Sequence, residues 1–254
     1  MNPTDLSPEH PVTTREQWLA QRLALLAREK ELTRLSDELA RERRTLPWVR
    51  LDKPYLFDTP QGPRALGELF EGRRQLLVQH FMLGPGWGEG CPSCSYMADH
   101  HDGLRPHLAQ RDVTLLVVSR APLAEIERFR QRMGWRFPWV SSHGSDFNRD
   151  FGVSFDPAER AAGPVDYNYQ RQPFPADEAP GISVFVRDAA GSVFHAYSRY
   201  GRGVEAMMGT YSLLDLTPRG RHEDDLPHPM AWVKHHDRYA DAPAAAAACC
   251  AGHA

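Results

Sequence analysis

Three things are scarce in this 254-residue chain: cysteine, unbroken apolar sequence, and surplus charge of either sign. Its four cysteines fall into two close pairs, Cys91/Cys94 and Cys249/Cys250, which is not the spread-out pattern of a disulfide-stapled secreted domain. No apolar run approaches the roughly 18 residues that a membrane-spanning helix needs. The first eleven residues are polar and proline-bearing, without the apolar centre of a secretory leader. A formal net charge of -3 gives neither nucleic acid nor an anionic bilayer an electrostatic reason to bind. The sequence therefore predicts a cytoplasmic protein with no membrane or nucleic-acid partner, whose thiols stay reduced and are free for redox or metal chemistry.

What is present suits a globular protein with a real core: 41% of residues are hydrophobic and 25% charged. Residues 14–45 read as one long amphipathic helix. Thr14 with Gln17 is a capping signal, Trp18, Leu25, Leu32 and Leu39 recur every seven residues, and Pro47 ends the segment. Such a stripe serves either a coiled-coil or homodimer contact or packing across the helix's own domain. Strands then alternate with helices. Residues 76–81 read as a strand, 113–119 as a continuous apolar run of strand length and 137–141 as a shorter strand, while 95–101 and 122–133 carry helical signals. Residues 155–180, with five prolines, read as an inserted loop. Residues 182–187 and 192–197, joined through Asp188-Ala189-Ala190-Gly191, predict a β-hairpin, and 204–214 a last helix. From Pro218 the sequence is polar and ends in an alanine run, which predicts a flexible tail. The implied organisation is a helical arm (1–47), an α/β domain with a largely parallel sheet (48–217) and a C-terminal extension (218–254).

The chemistry-bearing stretch is Gly90-Cys91-Pro92-Ser93-Cys94, entered from the 76–81 strand through a glycine-rich turn and followed by helical sequence. Two thiols three residues apart can close a small disulfide across the first turn of a helix. Unpaired backbone N–H groups there favour a thiolate on the first of them. Cys91 is thus the candidate nucleophile and Cys94 the resolving thiol that releases a mixed disulfide. Pro92 fits the first helical turn, where its missing N–H costs nothing, and Pro92 and Ser93 together help set the reduction potential.

The motifs Gly90-Cys91-Pro92-Ser93-Cys94-Ser95, Val117-Val118-Ser119-Arg120-Ala121-Pro122, Met133-Gly134-Trp135, Phe137-Pro138-Trp139-Val140-Ser141-Ser142, Phe151-Gly152-Val153-Ser154-Phe155 and Met230-Ala231-Trp232 resemble those of a widespread bacterial family. That family is catalogued as thioredoxin-like and of unknown function, and its members are often labelled dithiol–disulfide oxidoreductases. The resemblance spans about residues 14–239. It implies a thioredoxin-like α/β fold, with a central mixed sheet flanked by helices behind the long N-terminal helix, and disulfide exchange as the chemistry. Aligned on the thioredoxin strand, His80 lies near the buried proton-relay position, where it is either that relay or a hydrogen-bonded sheet histidine. Trp87 either covers the site or packs within its loop, since Gly90, not tryptophan, precedes Cys91. Ile182 occupies the place of the usual active-site proline, with Pro180 two residues earlier. Peroxiredoxin chemistry is not expected, because Gly84, Gly88 and Ile182 stand where that branch has proline, threonine and arginine.

Two further thiol readings stay open. Cys91 and Cys94 with His101 or His100 could supply three ligands to zinc, copper or another soft metal, which makes a metal-binding protein of the same fold the alternative function. Cys249 and Cys250 resemble the vicinal-cysteine tail of mercuric reductases and could pass electrons to Cys91/Cys94. The expected partners are a protein or small-molecule disulfide and a thiol reductant. No bound organic cofactor is expected.

Overall fold

The computed structural model describes residues 11–240, and the chain divides into two units after Pro47. In the first unit, α1 (Arg15–Arg44) starts where the Thr14 hydroxyl accepts from the Gln17 N–H (3.3 Å) and stops three residues before Pro47. None of its side chains is buried, and the heptad residues Trp18, Leu25, Leu32 and Leu39 remain about half exposed. No helix among the described residues is long and apolar enough to cross a membrane.

The second unit is built on a six-stranded sheet. In chain order its elements are β1 (Val49–Arg50), β2 (Leu56–Phe57), β3 (Arg64–Ala65), β4 (Gln75–His80), α2 (Pro92–Ala98), α3 (His101–Ala109), β5 (Val113–Ser119), α4 (Leu123–Arg132), β6 (Trp139–Ser141) and α5 (Phe147–Asp150). They continue as α6 (Pro157–Ala162), β7 (Val165–Tyr167), β8 (Gln170–Gln172), β9 (Gly181–Arg187), β10 (Val193–Tyr200) and α7 (Gly209–Leu214). The large sheet runs β1-β10-β9-β4-β5-β6. Its β4, β5 and β6 are mutually parallel, whereas β9, β10 and β1 join antiparallel. A βαβ unit continued by an antiparallel hairpin at the opposite edge is a thioredoxin-like arrangement, so the sheet is mixed rather than largely parallel. The sheet turns antiparallel where β9 pairs with β4, and the 188–191 turn then sets β10 antiparallel to β9. Gly191 (φ 88°) and the Asp188 carboxylate, which accepts from the Ser192 N–H (2.8 Å), reverse the chain at once and force antiparallel pairing.

Alternation along β4 assigns its side chains to two faces. Leu76 and Val78 pack with Leu116, Val118, Phe147, Phe151 and Phe185 on one face. Leu77 lies on the other with Ile182, Tyr96 and Met97. In register, Gln79 stands opposite Val117 and Ile182, and His80 opposite Val118 and Gly181. That one-residue distinction decides which of the two polar side chains shares a face with α2.

Two stretches are more structured than their composition suggests. Residues 155–180 hold α6, capped by Asp156, and the β7–β8 hairpin, and they bury Phe155, Val165 and Tyr167 against Val153 and Tyr200. The segment from Pro218, expected as a flexible tail, is folded onto the second unit as far as residue 240. Val233 and His235 are buried, and Glu223 accepts from Tyr211 Oη (2.6 Å), the Met230 N–H (2.9 Å) and Trp232 Nε1 (2.7 Å). Polar side-chain contacts hold it in place, and these leave no apolar periodicity to read. Cys249 and Cys250 lie outside the described residues.

Candidate functional site

The site begins where β4 ends. Phe81 stays hydrogen-bonded to β5 through Val118 O (2.9 Å), and the chain then leaves through a turn in which Gly86 and Gly88 have φ of 76° and 73°. It returns when the Cys91 N–H bonds the Met82 carbonyl (3.0 Å). Gly90 sits at the tightest point of this return: a Cβ there would stand 2.5 Å from Phe81 Cε1 and 2.7 Å from Phe129 Cε1. A larger residue before Cys91 is therefore excluded by two packed rings. Trp87 lies over Gly84, whose added Cβ would meet its Nε1 at 2.8 Å, and is partly exposed. It packs within its own loop and is not among the residues around the thiols.

Cys91 is the residue before α2, Pro92 is the first helical residue, and the Cys91 carbonyl accepts from both the N–H and the hydroxyl of Ser95 (3.0 Å each). Both cysteines are free thiols, Cys91 partly exposed and Cys94 buried. Their environments push them apart. Cys91 is lowered to about 7 by the Cys94 thiol, against the opposing effect of burial, and by the N–H groups of Cys94 and Ser93 and the Ser93 hydroxyl. Cys94 is raised well above its ordinary value by its bond to Cys91, by burial and by the Cys91 charge, with only the Met82 N–H acting the other way. One sulfur is thus a thiolate near neutral pH and the other holds its proton.

Beneath Cys94 the strand presents Gln79, which the sequence analysis did not single out. Its Nε2 donates to the Cys94 carbonyl (3.2 Å), and its Oε1 accepts from His101 Nε2 (2.5 Å). All three residues are buried. Strict alternation along the strand was the signal that could have found it. The same alternation puts His80 on the other face, against Phe147 and Phe151 with ring centroids 5.6 and 5.9 Å away. There His80 Nε2 bonds Ser183 Oγ (2.7 Å), which bonds Ser198 Oγ (2.7 Å), which bonds His195 Nε2 (2.7 Å). Burial, with a smaller contribution from His195, pushes His80 down to about 3, so it is a neutral sheet histidine at physiological pH. The proton-relay placement fails because the register is one residue off. His101 is likewise lowered to about 3 by burial, and its Nε2 is engaged with Gln79. Among the described residues no group of three or more His, Cys, Asp or Glu side chains could hold a metal ion.

Ile182 is a core residue packed with Tyr96 and Met97, and the proline at the site is Pro180 instead. Pro180 is held there because Tyr167 Oη donates to its carbonyl (2.8 Å) while accepting from the Gly201 N–H (2.8 Å). A cavity of about 920 Å³ opens beside the thiols. Cys91, Ser93, Cys94 and Met97 form one wall, Val204, Met208 and Tyr211 another, and the 219–230 segment a third. The same C-terminal segment grips the loop from the other side. His235 Nε2 donates to the Gly90 carbonyl (2.8 Å), Arg132 bonds Glu89 (2.8 Å) and Asp237 (2.8 Å), and Arg238 pairs with Glu89. Asp99, at the break between α2 and α3, accepts from Trp135 Nε1 (2.8 Å) and pairs with His236 (2.6 Å). A dithiol with split proton affinities, fixed on both sides and facing a cavity, is equipped for two-electron sulfur exchange.

Residues 7–239 match the family model described as "Bacterial protein of unknown function (DUF899)", and the chain belongs to that family. No curated protein matches it in sequence. Among solved structures it is similar to peroxiredoxin Q of Xanthomonas campestris at 14% identity, covering 66% of this chain and 97% of that one, with a TM-score of 0.42. It is similar to peroxidoxin BcpB of Mycobacterium tuberculosis at 16% identity, over 65% and 96%, with a TM-score of 0.39. A mitochondrial 2-Cys peroxiredoxin of Plasmodium falciparum is similar at 12% identity, over 66% and 93%, with a TM-score of 0.41.

Proposed function

We propose that this member of the family is a dithiol–disulfide oxidoreductase working through Cys91 and Cys94. The observation that carries the reading is the division of roles between the two sulfurs: Cys91 lowered to about 7 and partly exposed, Cys94 buried and raised. An attacking thiol whose pKa lies near ambient pH combines a large thiolate fraction with good nucleophilicity.

The Cys91 thiolate attacks one sulfur of a substrate disulfide. A Cys91–substrate S–S bond forms as the substrate S–S bond breaks, and the departing thiolate takes up a proton. Cys94 then loses its proton to the second departing sulfur and attacks Cys91 Sγ, closing the Cys91–Cys94 disulfide. Two electrons have passed from the protein dithiol to the substrate, and a thiol reductant returns them.

The test is to react the reduced Cys94→Ser variant with disulfides and look for a mixed disulfide at Cys91 by intact-mass and peptide mass spectrometry. A stable adduct at Cys91, resolved within the same reaction by the wild type, is expected. Absence of any adduct, or a reaction with hydrogen peroxide faster than with every disulfide offered, overturns the reading.

A further inference from the structure

The cavity beside the thiols differs from an open docking face in what lines it and in how its charges are used. The lining that it shares with Cys91 and Cys94 includes Met82, Met97, Val204, Met208, Tyr211 and Met230. Methionine thioethers are soft and conformationally adaptable, and together with an aromatic ring they form a lining for apolar ligands of varied shape.

The charged residues on the wall are largely satisfied by one another. Arg221 pairs with Asp215 (2.8 Å) and Glu205 (3.0 Å) and lies 3.9 Å over the Tyr211 ring. Arg202 pairs with Glu205 (2.8 Å), and Glu223 takes the three bonds from Tyr211, Met230 and Trp232. His222 and Asp224 stand exposed at the solvent edge. Arg202, Glu205, Asp215 and Arg221 are thus engaged with one another, and Glu223 with its three donors, while the remaining charged groups of the wall lie on its exposed side.

The wall is also held in a costly backbone shape. His222 (φ 51°) and Met230 (φ 67°) are non-glycine residues in the left-handed region, and both line the cavity. Such conformations persist where the surroundings over-determine them, as the Glu223 bonds do here. The 219–230 segment is therefore shaped around the space next to the dithiol.

We infer that the cavity is the substrate site of the dithiol, and that it takes low-molecular-weight disulfides with an uncharged apolar or aromatic group. This inference rests on the proposed dithiol exchange. The volume of about 920 Å³ is that of a small-molecule site. The apolar half of the substrate lies against the methionines and Tyr211 and brings its S–S bond to Cys91. Attack transfers that half to Cys91 as a mixed disulfide while the other half leaves as a thiol, and Cys94 then releases the bound half. The dithiol ends oxidised, both halves end as thiols, and a thiol reductant restores the protein.

The experiment uses the reduced full-length protein in single-turnover stopped flow with dithiodipyridine, a neutral aromatic disulfide, and with hydroxyethyl disulfide, a neutral hydrophilic one. Each rate constant is divided by that of N-acetylcysteine thiolate with the same reagent, which removes intrinsic reactivity. After this normalisation the aromatic disulfide is expected to react about tenfold faster or more, since that is what burying one ring-sized apolar group supplies, and to show saturation. Phe174 also lines the cavity, and Phe174→Ser should reduce that preference and leave the thiolate titration of Cys91 in place. Equal normalised rates with no saturation, while Cys91 still reacts, overturn the pocket inference and spare the dithiol reading. No reaction at Cys91 with either reagent overturns the dithiol reading itself.

Discussion

Gln79 Nε2 donates to the carbonyl oxygen of Cys94 across 3.2 Å, while His80, one residue further along the same strand, faces the opposite side of the sheet. The polar group bonded to the backbone of the buried cysteine is therefore an amide–imidazole pair, Gln79 with His101, that stays neutral across the physiological range.

Gln79→Leu removes both bonds and leaves His101 Nε2 buried without a partner, while the Cys94 carbonyl keeps its bond within α2. An orphaned buried group costs about 1–3 kcal/mol, and the reduced protein should lose about that much in urea unfolding. His80→Ala is also destabilising, through its lost packing and the broken serine chain. It should leave the pH profile of Cys91 alkylation unchanged, because His80 lies across the sheet from the thiols. A shifted profile in His80→Ala would restore a proton-relay role.

Ser93 lowers Cys91 with both its N–H and its hydroxyl. Ser93→Ala removes only the hydroxyl, a loss of about 1 kcal/mol of thiolate stabilisation. The Cys91 pKa should rise above about 7, seen as a shifted thiolate absorbance titration. An unshifted titration would assign the lowering entirely to Cys94 and the backbone.

The reduced protein should depend on pH in a defined direction. Cys91 is at about 7 when folded, against 9.0 for an ordinary thiol. Between those values the folded state has released a proton that the unfolded chain still holds, so stability rises with pH across the window and is lost as pH falls through 7. The full effect is about 3 kcal/mol. Cys94, being raised, acts oppositely at higher pH: above 9.0 the unfolded chain releases its proton first and stability falls. Urea unfolding in a phosphine reductant should show a maximum near pH 9, flattened on its acid side in Cys91→Ser.

How legible this site was in the sequence varied with the kind of interaction involved. The Cys91/Cys94 spacing, the strand before it and the hairpin after it rest on local patterns, and the structure places them as expected. His80 falls on the far face because a one-residue register difference exchanges the two faces of a strand, and the alternation that separates Gln79 from His80 does not itself say which face carries α2. Pro180 replaced Ile182 because the five-proline insert delivers it through Tyr167, a contact with no sequence period. The 218–240 segment was opaque for a related reason. Glu223, His235, Asp237 and Arg238 attach it by side-chain hydrogen bonds, and a polar composition reads the same whether those bonds form or not.

His235 offers a direct check on that segment. The Gly90 carbonyl can only accept, so His235 Nε2 carries the proton and Nδ1 faces Arg132 Nη2 (3.3 Å). His235→Phe keeps a ring against Phe129 but leaves the carbonyl before Cys91 without its partner. A loss of about 1–3 kcal/mol is expected in thermal or urea unfolding. Proteolysis within residues 218–240 should accelerate if His235 is the clasp, whereas an unchanged digestion pattern would show that the salt bridges around Glu89 suffice.

Gly90 explains why the residue before the first cysteine is not the tryptophan of thioredoxins. Any Cβ at that position runs into Phe81 and Phe129 at 2.5–2.7 Å, and both rings are buried with Trp135 and Trp139 around them. The rings cannot step aside cheaply in so crowded a cluster, so Gly90→Ala should cost about 1–3 kcal/mol of stability. The backbone is also the path of least resistance, and its displacement would pull the Cys91 N–H from the Met82 carbonyl and turn Cys91 away from the donors on Ser93 and Cys94. The expected signature is therefore a double one, lowered stability together with a raised Cys91 pKa. Phe129→Leu in the same background should relieve part of both by opening room for the new methyl group. If Gly90→Ala destabilises without moving the titration, the loop absorbs the strain upstream at Glu89 and the thiol geometry is set by α2 alone.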